Sequence, residues 1–269
     1  MKAKLIKGLS QVQSKYDAFF IDLWGVLHNG IELFSGAVEV LENLNKLNKR
    51  FVLMSNAPRP SKSVKKFLLK LKLNRILLKN IFTSGEAALQ SLQKNVYGKN
   101  FYHLGPKRDN SLFEGFENNR KNPEDADFIL CTGFLDNHED SLNYHKDLLK
   151  KYIQLKMICT NPDLVVHRGF EQEYCAGTLA QIFKELGGKV IYFGKPHPEI
   201  YLCVANLLDL DPNQCIVFED SDAARGCLLS GYSDEEALSG MAAESWGLCG
   251  QLDCNMWLER VHSASNPSD

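Results

Sequence analysis

The chain has 269 residues, of which 44% are hydrophobic, and a formal net charge of −2 at pH 7. That length allows one large domain or two modest ones with a hydrophobic core. The near balance of charge argues against a nucleic-acid partner, which needs an excess of basic residues. No run approaches the roughly 18 apolar residues of a transmembrane helix, so no membrane contact is expected.

The cysteines indicate a reducing compartment. There are eight of them, mostly within apolar runs such as FILCTGF, which is typical of free, buried thiols. No CxxC pair has zinc-ligand spacing, and the N-terminal segment lacks the apolar core of a signal peptide. We therefore expect a cytoplasmic protein.

Strand-like and helix-like runs alternate in the first part of the chain. Short apolar runs predict strands, and apolar residues at helical spacing predict helices. In chain order these runs are YDAFFIDLW (strand), AVEVLENLNKLNK (helix), RFVLMSN (strand), SKSVKKFLLKLKL (helix) and NIFTSGEAALQSL (a helix after a Thr-Ser-Gly-Glu cap).

A second series of the same kind follows. In chain order its runs are NFYHLG (strand), DFILCTGF (strand), HEDSLNYHKDLLKKY (helix), KMICTNPD (strand), AGTLAQIFKELGG (helix), KVIYFGKP (strand), HPEIYLCVANLLDL (helix) and QCIVFEDSD (strand). Strands that alternate with helices are typical of parallel sheets built from βαβ units, so an α/β fold is predicted.

The end of the chain has a different character. No lysine follows Lys195, although the chain before it is rich in lysine. Beyond about Gly226 the residues are rich in Gly, Ser, Ala, Glu and Trp, and strand signals fade. Residues 232–269 are therefore a divergent tail for which we predict no fold.

Polar side chains stand at the ends of the predicted strands. They are Asp22, Ser55, Asn56, Lys195, Glu219 and Asp220. Ligands of an open α/β sheet bind outside the carboxyl ends of its strands. A carboxylate that attacks phosphorus, a hydroxyl, a cation and an acidic pair together suit phosphoryl transfer. Mg²⁺ prefers carboxylate oxygen, so Asp22 and Asp220 are its natural ligands.

Each of these residues also has a purely structural alternative. Ser55 and Asn56 favour turns, Lys195 could be a surface charge, and the acidic pair at the last strand could cap a helix. Asp22 resists this interpretation, because a carboxylate at the end of a buried strand is costly without a partner. The occurrence of the whole set in one order favours a functional site.

The same segments resemble the four motifs of the haloacid dehalogenase superfamily, in the order of that family. Over about residues 16–226 the chain is similar to the class IIA, NagD-like phosphatases, in a branch with a DLWGV-type first motif. The motif segments are DLWGVLHNG, LMSNAPRP, GKPHPEIY and IVFEDSD, and CTNPD and AGTLAQIF resemble stretches typical of the cap in this class and of its return to the core.

The resemblance implies a role for each matched residue. Asp22 is the nucleophile, and Lys195 assists it. The implied phosphate-binding residues are Ser55, Asn56 and Lys195. The implied Mg²⁺ ligands are Asp22, the backbone carbonyl of Trp24, Asp220 and Glu219.

The resemblance also implies a Rossmann-like core with a parallel sheet and an inserted α/β cap domain of the C2 type. The predicted core comprises residues 1–84 and 188–231, and the predicted cap comprises residues 85–187. Such a cap closes over the site and contacts the substrate beyond its phosphate. Asn161, Asp163 and His167 are candidates there by position only, and for His167 a structural or exposed role is the alternative.

Trp24 departs from the usual first motif. The family has a second Asp there, which protonates the leaving group and then activates water; tryptophan can do neither. General acid–base catalysis contributes about 10²–10⁴ in rate, so this loss is serious without being fatal. His28 is a candidate substitute acid, because imidazole titrates near neutrality. The alternative for His28 is an exposed turn residue.

The fourth motif departs as well. Class IIA members carry a second Asp five residues after the first, and Arg225 occupies that place while Asp222 lies closer. The residues after Gly226 do not resemble the family's closing helix and strand. These departures bear on the affinity for Mg²⁺ and on the edge of the core sheet.

The sequence therefore predicts a Mg²⁺-dependent phosphohydrolase that forms an aspartyl-phosphate on Asp22. The implied substrate is a small phosphorylated metabolite such as a nucleotide, a sugar phosphate or pyridoxal phosphate, and a homodimer is implied by analogy alone. One alternative is a regulatory or binding protein that retains the phosphate site without turnover, which Trp24 and Arg225 favour. A phosphotransferase or mutase is a second alternative, although it would need a full acid/base at position 24.

Overall fold

The computed structural model describes residues 9–11, 13–139, 141–168, 171–210, 215–219 and 255–258. Its strands are β1 (Ala18–Asp22), β2 (Arg50–Ser55), β3 (Ile81–Thr83), β4 (Phe101–Leu104), β5 (Phe128–Cys131), β6 (Lys156–Cys159), β7 (Val165–Arg168), β8 (Glu171–Tyr174), β9 (Lys189–Tyr192), β10 (Cys215–Glu219) and β11 (Asn255–Leu258). Its α-helices are α1 (Ser35–Lys46), α2 (Ser61–Lys70), α3 (Ser84–Gln93), α4 (Leu142–Lys151), α5 (Ala176–Glu185) and α6 (Pro198–Leu207).

A five-stranded sheet has the order β11-β10-β1-β2-β3. β1 runs parallel to both of its neighbours, β10 and β2, and all five of its residues are buried. An unbroken apolar run such as AFFI is typical of the central strand of a parallel sheet, because helices cover both faces of such a sheet.

A four-stranded parallel sheet has the order β4-β5-β6-β9. The buried face of α5, formed by Leu179, Ala180 and Phe183, belongs to the same hydrophobic cluster as β5 and β6 residues such as Ile129 and Met157. The spacing of three and four residues along α5 places these side chains on one face of the helix, which explains this packing.

Both parallel sheets confirm the predicted α/β fold. Most predicted elements occur, with ends that shift by a few residues. The cap signal is also confirmed, because Thr83 Oγ1 accepts a hydrogen bond from the backbone N–H of Glu86 at the start of α3.

Three elements differ from the sequence-based expectation. β7 and β8 form an antiparallel hairpin that was not predicted. β9 pairs with β6 in the four-stranded sheet, whereas the predicted end of the cap at residue 187 assigns it to the core. β11, in a tail for which no strand was predicted, pairs in parallel with β10. An apolar run does not determine which sheet its strand joins, because that depends on pairing with residues distant in the chain.

The chain divides into two units by its internal contacts. The first comprises residues 1–54, 67–81 and 196–269, and the second comprises residues 55–66 and 82–195. The second unit contains all residues of the predicted cap together with the segment that follows β2. No helix among the described residues has the length and apolar character needed to cross a bilayer.

Candidate active site

Asp22 ends the central strand of the five-stranded sheet. Its side chain is buried, and Oδ1 accepts a hydrogen bond from the backbone N–H of Leu23 at 2.7 Å. Asp22 pairs with Met54 of β2, and Ser55 is the next residue of that strand. The strand order thus brings the first predicted motif to the carboxyl end of the sheet, where ligands of α/β folds bind.

The chain leaves Asp22 in a tight hydrogen-bonded loop. The backbone N–H groups of Leu27 and His28 both donate to the carbonyl of Leu23, at 2.9 and 3.0 Å, and Gly25 N–H donates to the His28 carbonyl at 2.8 Å. Gly25 has a φ of 81°, which a glycine adopts without strain. The loop therefore holds the residues after the nucleophile candidate in a defined arrangement.

The indole of Trp24 lies against Gly30. A Cβ atom added at Gly30 would come within 2.6 Å of Trp24 Cη2, and the φ of Gly30 is +87°. Both facts call for glycine at this position. Trp24 is therefore packed within the loop of the first motif.

His28 is part of that packing. It is only 2% exposed, so the interpretation as an exposed turn residue is wrong. Nδ1 accepts a hydrogen bond from Gly30 N–H at 3.0 Å, and the ring meets those of Trp24 and Phe67 edge to face, with centroids 5.2 and 5.3 Å apart. Burial lowers the pKa of His28 to about 4. The imidazole is thus neutral at neutral pH, which opposes its predicted role as the substitute acid.

Two of the predicted metal ligands, Asp22 and Glu219, lie at the carboxyl edge of the five-stranded sheet. Ile21 pairs with Phe218, so Asp22 and Glu219 follow at the same level of neighbouring parallel strands. Two residues with carboxylate oxygens at one level fit a hard cation such as Mg²⁺. Asp220, Asp222 and Arg225 lie outside the described residues. Within the described part of the chain, no three His, Cys, Asp or Glu side chains form a metal-binding group.

The second unit brings Ser55, Asn56 and Lys195 together. All three are largely buried, with exposures of 9%, 8% and 6%. Ser55 Oγ accepts a hydrogen bond from the backbone N–H of Ala57 at 3.1 Å. A lysine is seldom this buried in a protein unless a partner stabilises it, so its position favours the functional interpretation over a surface charge.

The side-chain amide of Asn56 connects the second and third motifs. Oδ1 accepts a hydrogen bond from the Lys195 backbone N–H at 2.7 Å, and Nδ2 donates to the Lys195 carbonyl at 2.9 Å. Nδ2 also donates to Asp163 Oδ1 at 2.8 Å. Both hydrogens of this amide are donated within the protein, so only the backbone N–H of Asn56 is left for the predicted phosphate contact.

Gly194 allows this approach. Its φ is +123°, and an added Cβ would come within 2.7 Å of Asn56 Oδ1 and 2.9 Å of Ser84 Cβ. The Gly-Lys-Pro segment therefore needs glycine both for its backbone conformation and for the space that Asn56 fills. These contacts explain why the Gly-Lys-Pro segment begins with glycine.

The Asn-Pro-Asp segment forms a turn after β6. Asn161 Oδ1 accepts a hydrogen bond from the backbone N–H of Asp163 at 3.1 Å, and the Asp163 carbonyl accepts one from Gly177 N–H at 3.1 Å. The sequence placed Asp163 beside a substrate and did not predict its contact with Asn56. For His167 the structure describes the backbone within β7.

Arg59, which is partly exposed, and the buried Asp109 form an ion pair that sequence reasoning missed. Arg59 Nε lies 3.6 Å from Asp109 Oδ1, and the carboxylate is almost fully buried. Burial raises the pKa of Asp109 to about 6, against the opposing effect of the nearby Arg59 and Arg108. Asp109 lies in a short 3-10 helix, Lys107–Phe113, and no local pattern marks it as a partner for a residue 50 positions earlier in the chain.

Comparisons with known proteins agree with this architecture. A sequence model of haloacid dehalogenase-like hydrolases matches residues 19–117. A haloacid dehalogenase-like hydrolase from Brucella suis 1330 is 28% identical with a TM-score of 0.75, covering 81% of this chain and 82% of that chain. A structure described as a nagD protein is 23% identical with a TM-score of 0.62, covering 77% and 81%. A 4-nitrophenylphosphatase from Thermotoga maritima is 20% identical with a TM-score of 0.67, covering 96% and 90%. A comparison with curated proteins found no match.

A parallel sheet with a carboxylate at the end of its central strand, and a second α/β unit inserted into the chain, define the class of this protein. Residues 19–117 match the model of haloacid dehalogenase-like hydrolases, and the chain is similar in fold to the hydrolase from Brucella suis. Its fold is also that of the nagD and 4-nitrophenylphosphatase structures. These similarities agree with the predicted resemblance to NagD-like proteins and with the prediction of a hydrolase.

Proposed function

We propose that this protein hydrolyses small phosphomonoesters through an aspartyl-phosphate on Asp22. Asp22 attacks phosphorus and the alcohol leaves; water then attacks the acyl phosphate and releases inorganic phosphate. Ser55 and Lys195 hold the phosphate oxygens, and the lysine neutralises charge that grows in the transition state.

The arrangement of Lys195 in the second unit is the observation that carries this proposal. Lys195 is buried and its backbone is bound on both sides by the amide of Asn56. Such preorganisation is the main catalytic contribution of a protein to phosphoryl transfer, because donors held in place need no reorganisation as charge develops.

We propose Mg²⁺ as the cofactor. Asp22, Asp220, Glu219 and the backbone carbonyl of Trp24 would hold it. When bound, the ion would supply positive charge beside the phosphate oxygens. Asp22 and Glu219 stand at one level of adjacent strands, which supports this assignment.

The substrate class follows from the proposed chemistry. A small phosphorylated metabolite, such as a nucleotide, a sugar phosphate or pyridoxal phosphate, is consistent with it. Trp24 cannot protonate a leaving group, and neutral His28 is a poor acid at pH 7. We therefore expect aryl and acyl phosphates, whose leaving groups need little protonation, to react faster than alkyl phosphates.

A binding or regulatory protein is the second candidate. The packing of Trp24 against Gly30 and His28 favours it, since that loop holds a tryptophan where the family has its acid/base. Such a protein would bind inorganic phosphate and show no turnover.

Hydrolysis of p-nitrophenyl phosphate tests the proposal. The assay compares the chain with Asp22→Asn, with and without Mg²⁺. We expect turnover that needs Mg²⁺ and falls to background in Asp22→Asn, because an amide cannot attack phosphorus. Asp17→Asn is the matched control, since Asp17 is exposed and lies just before the same strand, and it should keep full activity.

The outcomes separate the two candidates. Phosphate binding without turnover in a folded chain would favour the binding protein over the phosphatase. Turnover that survives in Asp22→Asn would exclude the aspartyl-phosphate route.

A further inference from the structure

A hydrogen-bonded chain of three residues ends at Lys195. Asp163 Oδ1 accepts from Asn56 Nδ2 at 2.8 Å, and the same amide bonds both the N–H and the carbonyl of Lys195. These residues lie 107 and 139 positions apart along the chain. The Asn56 amide thus bonds the Lys195 backbone as a neighbouring β-strand would, because it donates one hydrogen bond to it and accepts another from it.

Only one orientation of the Asn56 amide satisfies these partners. The Asp163 carboxylate and the Lys195 carbonyl are both acceptors, so Nδ2 must face them. The Lys195 N–H is a donor, so Oδ1 must face it. A flipped amide would place oxygen against two acceptors and leave the N–H of Lys195 facing a donor.

The backbone of Asp163 is held on both sides by hydrogen bonds. Its backbone N–H donates to Asn161 Oδ1, and its carbonyl accepts from Gly177 N–H at the start of α5. A Cβ at Gly177 would lie 2.1 Å from the Pro162 carbonyl oxygen, so the turn packs directly on the helix backbone. The backbone that carries the Asp163 carboxylate toward Asn56 is therefore fixed by the α/β scaffold of the second unit.

We propose that Asp163 is a positioning residue for Lys195 that acts through Asn56. This inference rests on the proposed phosphatase function, to which it adds a reason for the Asn-Pro-Asp segment. The carboxylate fixes the orientation of the amide, and the amide fixes the backbone from which the Lys195 side chain extends. A hydrogen bond to a charged acceptor is stronger than a neutral one, which suits this task.

The proposal makes a prediction that separates positioning from a direct chemical role. Asp163→Asn keeps an oxygen that can accept from Asn56, whereas Asp163→Ala removes it. We expect Asp163→Ala to lower kcat/KM for p-nitrophenyl phosphate by roughly tenfold, because small misplacements of a charged group are costly in catalysis. Asp163→Asn should recover most of that loss. A residue that acts by its charge on the substrate would lose equally in both variants.

Two further readouts do not need turnover. Binding of inorganic phosphate should weaken by a similar factor in Asp163→Ala. The backbone N–H of Lys195 should exchange faster with deuterium in Asp163→Ala, because its acceptor is Asn56 Oδ1. A loss of stability alone would not change the phosphate affinity of the folded fraction. It would also not speed up the exchange of this one amide selectively.

Asp127→Ala is the matched control in the same unit. Asp127 Oδ2 accepts from the backbone N–H groups of Lys99 and Asn100, both at 2.8 Å, in a turn before β4. We expect it to cost stability without changing kcat/KM or phosphate binding. Because it removes a carboxylate with backbone partners, it reports what generic weakening of the unit does.

The outcomes are distinct. Equal kcat/KM and phosphate affinity in wild type and Asp163→Ala would overturn the positioning role while leaving the phosphatase intact. Equal losses in Asp163→Asn and Asp163→Ala would also overturn it, in favour of a charge-dependent role. A wild type that binds phosphate without turnover would refute the phosphatase function, and the phosphate and exchange measurements would still decide the role of Asp163.

Discussion

Asn56 shows how a sequence motif and the structure can assign different contacts to one side chain. The motif predicts a phosphate contact for Asn56, whereas in the structure its amide is hydrogen-bonded to Lys195 and Asp163. Its bonds are all to groups whose donor or acceptor character is fixed, so substitution by a residue of the same size is not conservative. A carboxylate at position 56 would face two acceptors.

His28 supplies a pH prediction at the scale of one residue. Its pKa is lowered from 6.5 to about 4 in the folded chain by burial. A group with a lowered folded pKa stabilises the fold above its unfolded pKa and loses that contribution as pH falls through the folded value. We expect His28 to cost up to about 3 kcal/mol of stability between pH 6.5 and 4.

Urea unfolding at pH 7 and at pH 4.5 measures this effect, with His28→Asn as the comparison. Asn can still accept from Gly30 N–H and does not titrate, so the variant should lose less stability on acidification. The difference between the two chains isolates His28, because Asp109, with its pKa raised to about 6, contributes in the opposite direction over the same range in both. An identical pH dependence in both chains would show that His28 does not titrate as its burial requires.

At the scale of secondary-structure elements, two glycines at equivalent helix positions have opposite steric requirements. Gly36 and Gly177 are each the second residue of a helix, α1 and α5. A Cβ at Gly36 meets nothing within 4 Å, whereas at Gly177 it meets backbone oxygens of Pro162 and Asp163 at 2.1 and 2.4 Å. The pattern along each helix cannot distinguish them, since the obstruction comes from another segment.

Alanine substitution at these two helix starts tests that contrast. Gly36→Ala should stabilise the chain by about 0.4–1 kcal/mol, because alanine loses less backbone entropy on folding. Gly177→Ala should destabilise it by about 1–3 kcal/mol, because the neighbouring backbone must shift. Thermal unfolding of both variants measures the effect, and a stabilised Gly177→Ala would mean that the Asn-Pro-Asp turn does not pack on α5 as described.

At the scale of the whole molecule, most of the cysteines among the described residues are buried. Cys131, Cys159, Cys175 and Cys215 are buried, and Cys203 is partly exposed. Burial raises the pKa of Cys131 and of Cys175 to about 12 and raises that of Cys159 further from its usual range. The thiolate is the reactive form, so these thiols are protected by both access and ionisation.

Alkylation of the native chain at pH 8, mapped by mass spectrometry, checks this protection. We expect Cys131, Cys159 and Cys175 to remain unmodified in the native chain and to react fully in urea. Cys203 is the internal comparison within the described residues, because it is partly exposed. Rapid native labelling of Cys131 or Cys159 would contradict the packing of the hydrophobic cluster that contains both.

Much of the fold and the outline of the site follow from local sequence. The run FFI before Asp22, and the helical spacing of Leu179 and Phe183, are patterns over a few residues, and such patterns specify elements and their buried faces. The polar residues at the strand ends predicted the location of the site, because parallel strands place their carboxyl ends at one edge of the sheet.

Tertiary structure decided what no local pattern records. β9 joins the four-stranded sheet because it pairs with β6, and its apolar sequence would serve either sheet. His28 is neutral because Trp24 and Phe67 surround it. Asp163 meets Asn56 across 107 residues of chain. The sequence by itself determined the elements and the inventory of chemical groups. Long-range packing determined their partners and charge states, since these depend on which segments meet in space.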